Sequence, residues 1–120
     1  KYYFTDNGIL NLFLLDSDTS LLENLVAMSL IREYGREDSV YFYNHGVEVD
    51  FYIPDNETAI QVSYSLSDAE TFEREINALV KISSVLPCSK LIVITRDEED
   101  VLNIEGKTIE VIPVWKWLLR

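Results

Sequence analysis

The chain has 120 residues, 48% of them hydrophobic and 26% charged, which suits one folded domain with a real core and not a disordered segment. Twenty-one acidic residues face ten Lys and Arg, a formal net charge of −11 at pH 7. That balance argues against a domain that grips nucleic acid or an anionic membrane by itself, because both need clustered cations.

The closest approach to a basic cluster is Arg32 with Arg36, and Glu33 and Glu37 sit beside them. One cysteine, Cys88, allows no internal disulfide and fits a small buried or semi-buried residue. A bridge-free thiol suits the reducing cytoplasm, which is the expected location. No apolar run nears the ~20 residues that cross a bilayer. The chain opens on Lys1-Tyr2-Tyr3-Phe4 without an initiator Met, and we expect it to be the C-terminal piece of a longer polypeptide.

Residues 1–15 suggest a short aromatic strand, a turn at Asp6-Asn7-Gly8 and an apolar run Ile9–Leu15, followed by a loop from Asp16 to Thr19. A helix is predicted over about 21–34, opened by the capping-box pattern Ser20-x-x-Glu23 and stopped by Gly35. Its apolar stripe is 21, 22, 25, 26, 28 and 31. Val40–Tyr43 is a short strand and His45-Gly46 an exposed turn. Residues 47–53 alternate, placing Val47, Val49, Phe51 and Ile53 on one face and Glu48, Asp50 and Tyr52 on the other.

Pro54 to Glu57 makes a tight connection to a returning strand over 58–64. A second helix is predicted over about 68–85, with the capping box Ser67-x-x-Glu70, a stripe at Phe72, Ile76, Leu79 and Val80, and an outer Glu70–Arg74 pair. Leu91–Thr95 is a continuous apolar run, the mark of a strand covered on both faces. Arg96–Asp100 should be an acidic loop, Asn103–Lys107 a turn and Thr108–Pro113 a last strand. A short terminal helix follows, with Trp115 and Trp117 as its docking residues. The order implies an α/β fold: a mixed sheet holding one antiparallel hairpin, with helices packed on it, and a core including Val49, Phe51, Ile60, Val62, Leu79 and Ile92.

One constellation carries chemistry. If 54–57 is the loop, Ile53 faces Thr58, Asp50 faces Gln61 and Glu48 faces Ser63. Opposed side chains lie ~5 Å apart on one face. Glu48, Asp50, Gln61 and Ser63 should then share a polar face of the hairpin, with Glu23 leaning over it from the first helix. Glu48 also fits a solvated strand-edge acid, and an Asp50–Gln61 hydrogen bond would account for Asp50 without a metal.

An acid on a helix, an acid on a hairpin strand and (Asp/Glu)-x-Lys on the next strand is the layout of the PD-(D/E)XK, or restriction-endonuclease-like, superfamily. The whole chain resembles a C-terminal domain of unknown function that follows the nucleotide-binding module in many prokaryotic AAA-type ATPases. The resemblance rests on Tyr2–Gly8, Leu22-Glu23-Asn24-Leu25-Val26, Glu48-Val49-Asp50-Phe51, Ile60-Gln61-Val62-Ser63 and the tail Val111–Leu119. It implies that Glu23 matches the helical acid, Asp50 the metal-binding Asp, Gln61 the second acid and Ser63 the lysine.

The first two are intact and the last two are not. Gln61 keeps an oxygen but loses the charge, and Ser63 supplies no cation to steady a transition state. Lys81 and Lys90 are the only mid-chain lysines that could replace the lost one. The expected function is therefore a non-catalytic accessory or interaction domain with a degenerate site. The competing reading is a metal-dependent nuclease with Asp50 and Gln61 holding Mg²⁺ and Glu23 assisting. The implied partners are an upstream ATPase module of the same chain or another protein, with ATP confined to that module. The four glycines, at 8, 35, 46 and 106, are too scattered for a phosphate-cradling loop here.

Overall fold

The computed structural model describes residues 18–34, 40–44 and 46–120. The expectations for residues 1–17, Gly35, Arg36, Glu37 and His45 lie outside them.

Six strands form one mixed sheet. In chain order the elements are α1 (Asp18–Tyr34), β1 (Tyr41–Asn44), β2 (Glu48–Ile53), β3 (Thr58–Val62), α2 (Ala69–Ser83), β4 (Lys90–Thr95), β5 (Asp100–Ile104), β6 (Lys107–Pro113) and α3 (Val114–Leu118). The spatial order is β1-β2-β3-β4-β6-β5. β3, β4 and β6 run parallel in the centre, while β1, β2 and β5 are antiparallel to their neighbours. Parallel neighbours need long crossovers, and α2 supplies the one from β3 to β4.

Each face of the sheet carries its own core. On one, Leu22, Val26, Ala27 and Leu30 of α1 and Trp117 of α3 pack against Phe51, Ile53, Ile60, Val62, Ile92 and Ile94. On the other, Ile76, Leu79 and Ile82 of α2 pack against Val49, Tyr52, Ala59, Leu91, Val93, Ile109 and Val111. β4 lies between both layers, so Leu91 to Thr95 are all buried, as a two-sided apolar run requires. All six expected core residues are buried.

The alternation in β2 was not what it seemed. Tyr41 pairs with Tyr52 but Tyr43 with Val49, so two residues of β2, Asp50 and Phe51, oppose the single Phe42. This β-bulge shifts the phase of the strand. Val49 therefore joins the α2 side, while Phe51 and Ile53 face α1. The 53-to-58 connection is as expected: Ile53 pairs with Thr58 across a short 3₁₀ turn, Pro54–Asn56.

Other boundaries moved. α1 already includes Asp18, so Ser20 and Glu23 lie within the helix and not at its start. On α1 Leu25 is exposed, and Leu21, Met28 and Ile31 are only half-buried. α2 is capped by Asp68, not Ser67: its carboxylate accepts the Thr71 N–H at 2.9 Å. Arg74 pairs with Glu75 at 3.5 Å, not with Glu70. The stretch read as an acidic loop and polar turn contains β5. Trp117 docks as expected, but Trp115 is exposed.

Candidate functional site

The β2–β3 hairpin brings the matched residues together in an unexpected way. The ladder of the two main chains runs from Ile53↔Thr58 to Phe51↔Ile60. Past that point side chains do the stitching. The Asp50 N–H donates to Gln61 Oε1 at 2.8 Å, and Gln61 Nε2 donates to the Glu48 carbonyl at 3.3 Å. In return the Val62 N–H donates to Asp50 Oδ2 at 2.8 Å. Asp50 and Gln61 do meet, but each bonds the other strand's backbone.

The bulge explains why this is possible. An extra residue at Asp50-Phe51 takes β2 out of step, leaving backbone polar groups that side chains can satisfy. Gln61 has one acceptor and one donor in a planar amide, and both face the partner strand.

The expectation of a solvated polar face needs correction. Gln61 and Ser63 are 3% and 5% exposed. Parallel pairing of β3 with β4 and the cover of α2 enclose what a free-standing hairpin would show to water. Ser63 continues the main-chain pairing, its N–H donating to the Ile94 carbonyl at 3.0 Å, and its hydroxyl donates to the Ser65 carbonyl at 2.9 Å. Glu48 is exposed, as expected, while Asp50 and Glu23 are half-buried.

Glu75 of α2 was not anticipated. Its carboxyl is raised above the ordinary glutamate range, first by burial and then by the negative charges of Glu23 and Glu48, with Arg74 acting in the opposite direction. Acids from α1, β2 and α2 thus act on one another near the stitched end of the hairpin. The sequence signal was present but faint: a carboxylate one residue before the buried Ile76.

Among the described residues, no group of three His, Cys, Asp or Glu side chains is placed to hold a metal ion. Asp50 and Gln61, with Glu23, retain oxygen donors suited to a hard cation, but Asp50 Oδ2 and Gln61 Oε1 already accept backbone N–H groups. The lysines considered as replacements stand elsewhere. Lys90 pairs in register with Thr58, whereas Gln61 pairs with Val93. Three strand residues separate the two levels, about 10 Å. Lys81 is exposed in the last turn of α2.

A second constellation ties down the loop after β3. Glu98 accepts the Ser65 hydroxyl at 2.7 Å and the Leu66 N–H at 2.8 Å. The fully buried Thr95 hydroxyl donates to the Glu98 carbonyl and accepts the Glu98 N–H, both at 2.9 Å. A nominally solvated acid in a loop is here a clamp.

A family model matches residues 18–117: a domain of unknown function, DUF4143, and the chain belongs to that family. No curated protein and no solved structure matches it. No helix among the described residues is long and apolar enough to cross a membrane.

Proposed function

We propose that this DUF4143 domain is a non-catalytic accessory or interaction domain of a cytoplasmic AAA-type ATPase, with a restriction-endonuclease-like core whose site has become structural. The observation that carries the reading is the Gln61 amide. The position matching the second catalytic acid bonds the backbone at Asp50 and Glu48. The position matching the lysine is a buried serine. Hydrolysis by two carboxylates and a lysine needs a cation and free oxygens facing the scissile phosphate. Here Asp50 and Gln61 bond the backbone across β2 and β3, and the Ser63 hydroxyl is spent on the Ser65 carbonyl.

Two measurements test the reading. Labelled single- and double-stranded DNA and RNA incubated with the chain and Mg²⁺ or Mn²⁺ should stay intact. Metal-dependent cleavage lost in Asp50→Asn would establish the nuclease instead. In thermal melts, Gln61→Glu with Ser63→Lys should lower the melting temperature without metal, since both positions are buried, and Mn²⁺ should recover part of that loss by binding the folded state. The reading frame upstream of Lys1 is expected to encode a P-loop ATPase module, and its absence there would remove the ATPase half of the proposal.

A further inference from the structure

Among the described residues the sheet ends on β5, whose outer side is unpaired and lies beside a cleft of about 450 Å³. Leu66, Phe72 and Leu102 give the cleft its apolar lining, while Glu98, Glu99 and Asp100 supply its charge. None of the lining residues is Lys or Arg. Glu99 is paired with Lys116, but Glu98 and Asp100 accept only neutral donors, so the mouth keeps an excess of negative charge.

β5 itself lacks the usual protection of an edge. It reads Asp100-Val101-Leu102-Asn103-Ile104, with neither Lys nor Pro, and Val101 is 61% exposed. Only one side of β5 is paired among the described residues, to β6. Alternate N–H and C=O groups along its other side are therefore directed outward. The nearby start of α2 would favour an anion, but Asp68 and Glu70 already occupy its first turn.

We propose that the β5 edge and this cleft bind an extended segment of a partner protein in which an apolar side chain is flanked by Lys or Arg. The segment adds a strand beside β5, its apolar side chain enters between Phe72 and Leu102, and its cations meet Glu98 and Asp100. Charge selects this occupant: the uncompensated carboxylates of Glu98 and Asp100 repel nucleic acid and acidic peptides, whereas a basic segment relieves their mutual repulsion. The proposal rests on the interaction-domain reading, and cleavage and metal-binding assays probe that reading separately.

The probe is a fluorescein-labelled nonapeptide of alternating Lys and Val with a central Leu, titrated with the full chain and followed by anisotropy. Saturable binding that weakens as salt rises is expected. Glu99→Lys with Asp100→Lys, both exposed positions, should weaken it about tenfold. The same variant should gain affinity for the peptide with Glu in place of Lys. N-methylation of one alternating set of peptide amides should abolish binding, and of the other set should not. Equal binding of the acidic peptide by the parent chain, indifference to the double substitution, or equal binding of both methylated forms would each overturn the proposal. Sedimentation showing self-association that excludes the peptide would assign the edge to a second copy and overturn it too.

Discussion

Gln61 can sit in a sheet interior because both ends of its amide are bonded, one to Asp50 N–H and one to the Glu48 carbonyl. Gln61→Glu removes the donor and brings an anion to a carbonyl, at a cost of about 1–3 kcal/mol near neutral pH. A protonated carboxyl, though, repeats the amide's pattern of one donor and one acceptor. The variant should melt below the parent at pH 7 and approach it as pH falls, because burial beside Asp50 raises the new carboxyl in the folded state. A melting temperature unchanged at pH 7 would show that the Nε2 bond contributes nothing. Glu75 gives the same sign from a native group. Its folded-state carboxyl is raised, chiefly by burial, so the fold bears the cost of the charged form above that value and is relieved as pH falls through it. Glu75→Gln should therefore raise the melting temperature at pH 7, and the advantage should fade towards about pH 4, where the unfolded carboxyl is itself half protonated. A deficit at pH 7 would mean that the bridge to Arg74 outweighs the burial.

At the level of elements, strands covered on both sides announced themselves, and of the two edge strands β1 was legible at Val40–Tyr43 while β5 was not. β4 and the β2–β3 register could be read from Leu91–Thr95 and from the four-residue connection, because apolar runs and loop length carry those features directly. The bulge at Asp50-Phe51 could not, since a perfect alternation from Val47 to Ile53 hides a phase shift imposed by β1. That shift is also why Asp50 and Gln61 were legible as neighbours but not as backbone partners. Likewise β5 is a strand by virtue of its neighbour, an acidic and polar segment held by pairing to β6. The turn that joins them explains the pairing: Glu105 and Gly106 have φ of 51° and 79°, the two-residue geometry whose twist matches paired strands. A side chain at Gly106 would meet no atom within 4 Å, so Gly106→Ala tests the backbone alone. It should cost about 1 kcal/mol, and Glu105→Asn should recover part of it, since Asn tolerates left-handed φ better than Glu. Chemical denaturation of the two variants measures both. A neutral Gly106→Ala would mean that the hairpin relaxes its turn freely.

At the scale of the molecule, the acidic excess is not relieved by a broad basic face among the described residues. Lys81 stands on α2 and Arg32 on α1, which cover opposite sides of the sheet, while Lys90 and Lys107 lie at one end of the neighbouring strands β4 and β6 and Arg96 follows the other end of β4. Arg74, Lys116 and Arg120 are each paired with a glutamate. Phosphate contacts release counterions only where several cations track the backbone together, and the described surface offers no more than the Lys90 and Lys107 pair beside scattered single cations, within a field of net charge −11. The chain should therefore fail to shift duplex DNA at about 0.15 M salt, where charges still act over about 8 Å. The same excess sets a second, linked expectation. Self-repulsion weakens as salt is added, so the melting temperature should rise with ionic strength while DNA binding stays absent. Binding that grew at low salt and fell steeply as salt was added would demonstrate real phosphate contacts and contradict the first expectation. A melting temperature that fell on adding salt would mean that the glutamate bridges of Arg74, Lys116 and Arg120 outweigh the repulsion among the remaining acids, and the account of the surface as a uniformly repelling field would have to be abandoned.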